Sequence, residues 1–210
     1  MQLYAAFVPP PDVVEDAIRR AGALLADASP VPEPHPPGVL ERLRLRRPTT
    51  PEPPRVIALA SVDPSAVFVL VAKLGNVTVA DADGLADAVR SPAAGWPAAR
   101  VRVGAIGVDD ARPAALRGVL EGEVDNLSRV FGEVNEAARR QRFFLDRRSF
   151  RAELPLGRVD VPDEVGSPLA GTTWTYDGPE WQTTHISLLR LRHGAGQASY
   201  EEIHRIALDS

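Results

Sequence analysis

The chain has no cysteine, one lysine (Lys73), one methionine and only 6% aromatic residues in 210 positions. Without cysteine there are no disulfides, no thiolate metal ligands and no thiol nucleophile, so stability rests on the packed core. The lysine scarcity means that 23 of the 24 basic residues are arginine; with the many alanines, prolines and glycines, this reads as a GC-rich coding bias rather than a binding function. Positive charge is not in excess either. A formal net charge of -4 and a pI near 5.6 supply no global field to gather nucleic acid, so any such contact must be argued locally, and no DNA partner is expected. Long apolar runs are also missing. The opening Leu3–Val8 has no basic segment before it and stops at Pro9-Pro10-Pro11, and no other stretch approaches the roughly 18 apolar residues of a membrane span. The expectation is a cytoplasmic protein with no membrane contact. What remains is ordinary globular composition, 44% hydrophobic and 25% charged, enough for one large domain or two closely packed lobes.

Leu3–Val8 reads as a buried strand. Asp12 and Glu15 form an Asp-x-x-Glu capping box that predicts a helix, with Val14, Ala17, Ile18, Ala21, Leu24 and Leu25 on one face. Residues 29–55 are too rich in proline for a helix or central strand and read as a loop, with Leu43-Arg44-Leu45-Arg46 as a short edge strand; a Pro-rich recognition segment is the functional alternative. Val56–Val62 and Val67–Leu74 are apolar, β-branched runs separated by Asp63-Pro64-Ser65, which predicts a hairpin, and Gly75-Asn76 closes the second run. Asp81–Val89 reads as a short helix. Arg100–Val108 and Ala115–Leu120 form a second hairpin, and Asp125 caps a long helix running to about Gln141. Arg151–Leu156 is a short strand, and His185–Arg192 pairs with Tyr200–Leu208 across Gly194-Ala195-Gly196. The order β-α-β-β-α-β-β-α-β-β-β is an approximate duplication, which favours two similar lobes over a doubly wound parallel sheet.

Several chemical motifs are weak or missing. The four histidines are scattered, none three or four residues from another, and Asp109-Asp110 and Glu201-Glu202 read as turns and solvated strand ends, so no metal is expected. Gly104-Ala105-Ile106-Gly107 lacks the Gly-Lys-Ser/Thr ending of a P-loop. The cluster Arg139-Arg140-Gln141-Arg142, with Arg147 and Arg148, suits the negative end of a helix dipole, and beside Phe143 and Phe144 it also has the character of an RNA-backbone patch. His185-Ile186-Ser187 places a histidine and a hydroxyl on one strand face, with no second such pair to complement it.

The stretches Leu3–Pro10, Val67–Val77, Arg147–Val159 and Gly178–Leu188, with Tyr200-Glu201, together resemble the LigT-like members of the 2H phosphoesterase superfamily, which are 2'-5' RNA ligases and RNA 2',3'-cyclic phosphodiesterases. The resemblance runs through nearly the whole chain. It implies an α+β fold, a single bilobal domain over 1–210 with two antiparallel sheets, each packed by helices, around a central cleft. In that family two His-x-Thr motifs, one per lobe, supply a general base, a general acid and phosphate-binding hydroxyls, and act without a cofactor. Here the first motif falls on Phe68-Val69-Leu70 and the second on Glu153-Leu154-Pro155. Phe68 and Leu70 can neither transfer a proton nor bind phosphate, Pro155 offers no hydroxyl or amide hydrogen, and the Glu153 carboxylate repels a phosphodiester. The family reaction is therefore expected to be lost, with the cleft either filled by packing or turned to another ligand through Arg151, Glu153 and His185. The resemblance leaves a nucleotide or RNA end, or a protein, as partners.

Overall fold

The computed structural model describes residues 1–28, 58–110, 114–145, 149–160, 169–194 and 197–209. The Pro-rich segment, the proposed edge strand at Leu43–Arg46, Arg147, Arg148 and the tip of the last turn lie outside these residues. The elements run β1 (Gln2–Phe7), α1 (Pro11–Ala28), β2 (Ala58–Ser61), β3 (Val69–Asn76), α2 (Val79–Ala93), β4 (Ala99–Val108), β5 (Ala114–Gly122), α3 (Val124–Arg140), β6 (Glu153–Asp160), β7 (Thr173–Thr175), β8 (Trp181–Thr183), β9 (His185–Gly194) and β10 (Gln197–Ala207). They form a four-stranded sheet in the order β10-β9-β1-β3 and a six-stranded sheet in the order β2-β6-β5-β4-β7, with β8 also paired to β4. Every strand ladder is antiparallel, so the chain is α+β with two antiparallel sheets.

The two strands read as a hairpin around Asp63-Pro64-Ser65 do not pair. β2 pairs with β6 in the larger sheet and β3 pairs with β1 in the smaller one. The turn itself is real: the Asp63 carboxylate accepts the Ser65 amide hydrogen at 2.8 Å, and Pro64–Ala66 make one 3₁₀ turn. It redirects the chain from one sheet to the other. Local turn chemistry specifies a change of direction, whereas partner choice depends on which buried face each strand completes.

Helix starts also differ from the expected caps. α1 begins at Pro11, whose missing amide hydrogen costs nothing in a first turn, so Asp12 lies inside the helix. Glu123, not Asp125, caps α3; its carboxylate instead accepts the Arg100 amide at 2.7 Å and ties the helix start to β4. α2 has a reciprocal capping box, with the Asp81 amide donating to Thr78 Oγ1 at 3.1 Å and the Thr78 amide donating to Asp81 at 2.9 Å. That box holds the Asp81 carboxyl below its usual pKa, the Thr78 hydroxyl being the larger cause. β5 ends at Gly122 with φ of +102°, where a Cβ would meet the Arg100 carbonyl at 2.6 Å. The closing hairpin is present as expected, and β7 and β8 are short strands added to the edge of the larger sheet against β4.

One core cluster occupies the space between sheets and helices. Leu3, Phe7, Val69, Ile186 and Leu188 enter it from the smaller sheet, and Ile106, Leu116, Leu154 and Leu156 from the larger. Each such fully buried side chain stabilises the fold by about 1.5–3 kcal/mol relative to exposure. α3 packs on β3 and β4 through Leu127, Val130 and Val134, while α1 packs on β2 and β6. No helix among the described residues is long and apolar enough to cross a membrane.

Candidate functional site

Strand alternation sends Val69 and Val71 of β3 into the main core, which leaves Phe68 and Leu70 on the opposite face. There they join Tyr4 and Ala6 of β1, Leu189 and Leu191 of β9 and Tyr200 of β10 in a second, smaller cluster. The ring centroids of Phe68 and Tyr200 are 4.9 Å apart at an interplanar angle of 74°, and those of Tyr4 and Tyr200 are 5.4 Å apart at 75°. These are edge-to-face contacts, which place electropositive ring edges on electronegative faces. The smaller sheet thus presents an aromatic wall. Lys73 stands in register with Tyr4 farther along β3.

The facing wall comes from β6. Leu154 and Leu156 are fully buried in the core, so Glu153 and Pro155 share the other face. Arg117 of β5 donates to Glu153 Oε1 at 2.6 Å and to Asp109 Oδ2 at 2.6 Å, and Arg151 lies 3.8 Å from the same Glu153 oxygen. The other Asp109 oxygen accepts the Ala115 amide at 2.7 Å. The carboxylate expected to repel a phosphodiester is therefore charge-paired: Glu153 faces the cleft together with two guanidinium groups.

The two walls enclose a cleft of about 750 Å³. Phe68, Leu70, Glu153 and Pro155, the four residues expected at the motif positions, line it, as does Arg151. Phe68 forms part of the wall and leaves the cleft open, so the expectation that packing fills it is not met. Lys73, Arg117 and Arg151 put three cations against one carboxylate on its surface, in a chain whose net charge is negative. Asn135 of α3 also lines it, donating from Nδ2 to the Phe131 carbonyl at 2.6 Å and the Val71 carbonyl at 3.3 Å. Among the described residues no histidine lines this cleft.

His185, the third proposed ligand-binding residue, begins β9 away from the cleft lining. Its Nδ1 lies 3.2 Å from Thr184 Oγ1. Burial, seconded by Arg205 and opposed by Glu202, lowers its pKa below the ordinary value. Ser187, fully buried, donates to Glu202 Oε2 at 2.5 Å rather than to His185, so the His-x-Ser pair is no catalytic couple. His204 pairs with Asp83 at 2.8 Å between β10 and α2. Among the described residues no group of three or more His, Asp or Glu side chains is placed to hold a metal ion.

Sequence reasoning missed Tyr4, Lys73, Arg117, Asn135 and Tyr200 as cleft residues. Tyr4 and Lys73 carried a signal, one as the polar aromatic in an apolar strand and the other as the sole lysine. Arg117 and Asn135 carried none, because their role depends on strand pairing and helix docking that local pattern does not specify.

No protein-family model and no curated protein sequence matches the chain. Solved structures do. E. coli LigT complexed with 3'-AMP aligns with 18% identity over 100% of this chain and 98% of its own, at a TM-score of 0.65. A protein of Thermus thermophilus aligns with 16% identity over 99% and 98%, at 0.66, and a phosphoesterase with 18% over 100% and 98%, at 0.64. E. coli LigT has also been crystallised with NADP+ and with ATP. The chain therefore has the LigT-like fold, matched over its whole length.

Proposed function

We propose that this protein is a non-catalytic member of the LigT-like 2H phosphoesterases, in which the cleft between the two sheets serves to bind a ligand. One observation carries the reading: Phe68, Leu70, Glu153 and Pro155, the four residues to which the resemblance assigns the family's two His-x-Thr motifs, all line the cleft. Phosphodiester cleavage by this class needs one group to take a proton and another to return it, each contributing roughly 10²- to 10⁴-fold. Phe68, Leu70 and Pro155 have no proton to exchange, and the Glu153 carboxylate is engaged by Arg117. A volume of about 750 Å³ with three cations on its surface supports ligand binding over a purely structural role. A nucleotide or RNA end is one candidate, since E. coli LigT is complexed with 3'-AMP, NADP+ and ATP. The cytoplasmic setting expected from the sequence belongs to this proposal.

The same openness favours a second reading, an active cyclic phosphodiesterase that uses Glu153 as its base. Hydrolysis of 2',3'-cyclic nucleotides and of a cyclic-phosphate-ended RNA by folded wild-type protein, Glu153→Ala and His185→Ala separates the two. Background rates in all three support the first reading. Wild-type turnover that is lost in Glu153→Ala establishes the second, and turnover lost only in His185→Ala contradicts both.

A further inference from the structure

On the reading that the cleft is a ligand site, we infer that its ligand is a small aromatic monoanion carrying an N–H or O–H donor, rather than a phosphate ester. Three features of the cleft converge on that chemistry.

Three of the four positions assigned to the motifs are hydrocarbon, Phe68 and Leu70 on one wall and Pro155 on the other, and the fourth, Glu153, is engaged by Arg117. A phosphate seated against Phe68, Leu70 and Pro155 would lose hydration and find no donor among those three side chains, a cost that only paired or hydrogen-bonded charges escape. A flat apolar body gains instead, since Tyr200, packed edge-to-face on both Tyr4 and Phe68, offers further ring contacts.

Charge balance sets the ligand's valence. Arg117 is held between Asp109 and Glu153, both at 2.6 Å. Lys73 has no carboxylate partner among the described residues, and Arg151 has only the longer 3.8 Å contact with Glu153. Among the described residues, the three cations of the lining set against Glu153 and the Asp109 carboxylate behind Arg117 leave one positive charge in excess. This matches a single carboxylate or sulfonate and leaves a nucleoside polyphosphate largely uncompensated.

Asn135 adds a directional element. It is 7% exposed, and its amide is fixed because two carbonyls, Phe131 and Val71, both require the Nδ2 hydrogens. Its Oδ1 accepts from no described residue, so the cleft offers a preoriented acceptor to a ligand N–H or O–H.

Anilinonaphthalene sulfonate, an aromatic monoanion with an N–H, is the probe. Its fluorescence titration is run on wild type, Lys73→Gln, Phe68→Ala and the control Val79→Ser, whose side chain is 62% exposed outside the cleft lining. Lys73 is the only lysine, so reductive methylation with isotope-labelled formaldehyde marks Lys73 and the Met1 amine alone, and bound probe should move the Lys73 resonance. Lys73→Gln is expected to weaken binding about fivefold at low salt, the difference closing at high salt. Phe68→Ala is expected to weaken it by about tenfold or more, and Val79→Ser to change nothing. Lys73→Gln is a surface change that keeps the test valid if Phe68→Ala does not fold. Equal binding by wild type and Lys73→Gln with no Lys73 shift, or displacement of the probe by AMP or inorganic phosphate at lower concentration than by an aromatic carboxylate, overturns the inference. Hydrolysis measured on the same samples judges catalysis separately: absent probe binding without turnover sinks this inference alone, whereas turnover sinks the non-catalytic reading.

Discussion

Arg117 and Glu153, 36 residues apart on neighbouring strands, meet at 2.6 Å on the wall of the cleft, and the same guanidinium reaches Asp109 on its other side. Glu153 is thus part of a carboxylate-guanidinium-carboxylate bridge. All three side chains are more than two-thirds buried. Arg117→Met leaves two partly buried carboxylates facing each other and is expected to cost about 1–3 kcal/mol in urea unfolding. Glu153→Gln retains an acceptor for Arg117 and should cost less than about 1 kcal/mol. An Arg117→Met variant as stable as wild type would show that the bridge is solvated and contributes nothing.

Acid sensitivity should come in two windows. Burial first, and Arg205 second, lower the His185 pKa, so the unfolded chain takes up a proton before the folded one does. Stability therefore falls as pH drops below about 6.5, the ordinary histidine value. Glu201 has the opposite starting point: hydrogen bonds from Arg192 and Arg190 lower its pKa to about 2, so its contribution is full above the ordinary carboxylate range and lost as pH falls toward that value. Melting temperatures of wild type and His185→Gln across about pH 5–7.5 should diverge, the variant losing less on acidification. Parallel curves would assign the loss to other groups.

The alignment of the motifs predicts a gain of function. Phe68→His, Leu70→Thr, Glu153→His and Pro155→Thr together place two His-x-Thr pairs on the two walls of the cleft, and Thr at 155 restores an amide hydrogen to β6. The fourfold variant is expected to hydrolyse a 2',3'-cyclic nucleotide above the wild-type background, whereas reverting either motif alone is not. Inactivity in folded fourfold variant would mean that these positions do not superpose on a working site.

The Thr78 capping box is isolated from the cleft and serves as a control on the stability arguments. Thr78→Ala removes the acceptor for the Asp81 amide and should cost about 1 kcal/mol without altering ligand binding.

Much of the fold was legible in the sequence because its strongest signals are periodic. The apolar stripe of α3, the alternation of β4 and the length of β9 each exceed what loop sequence produces, and each element lies where periodicity places it. The facing of side chains was legible as well: Phe68 and Leu70 share one face and Glu153 and Pro155 another because the side-chain period of a strand is two. Pairing was not legible. The turn at Asp63-Pro64-Ser65 has hairpin chemistry, yet β2 and β3 are recruited by different sheets, since long-range burial outweighs adjacency in sequence. Glu153 was read as a repulsive charge for the same reason, because its partner Arg117 is reached only through the β5–β6 ladder. Asn135 was invisible until α3 docked on β3.

The central claim is that the cleft performs no phosphodiester chemistry. A single-turnover incubation, with purified folded protein in excess over end-labelled RNA bearing a 2',3'-cyclic phosphate, tests it with the least demand on rate. The account predicts that the cyclic end persists at the rate of the buffer control. Opening of the cyclic phosphate faster than that control, and abolished by Glu153→Ala in a variant that remains folded, would contradict it.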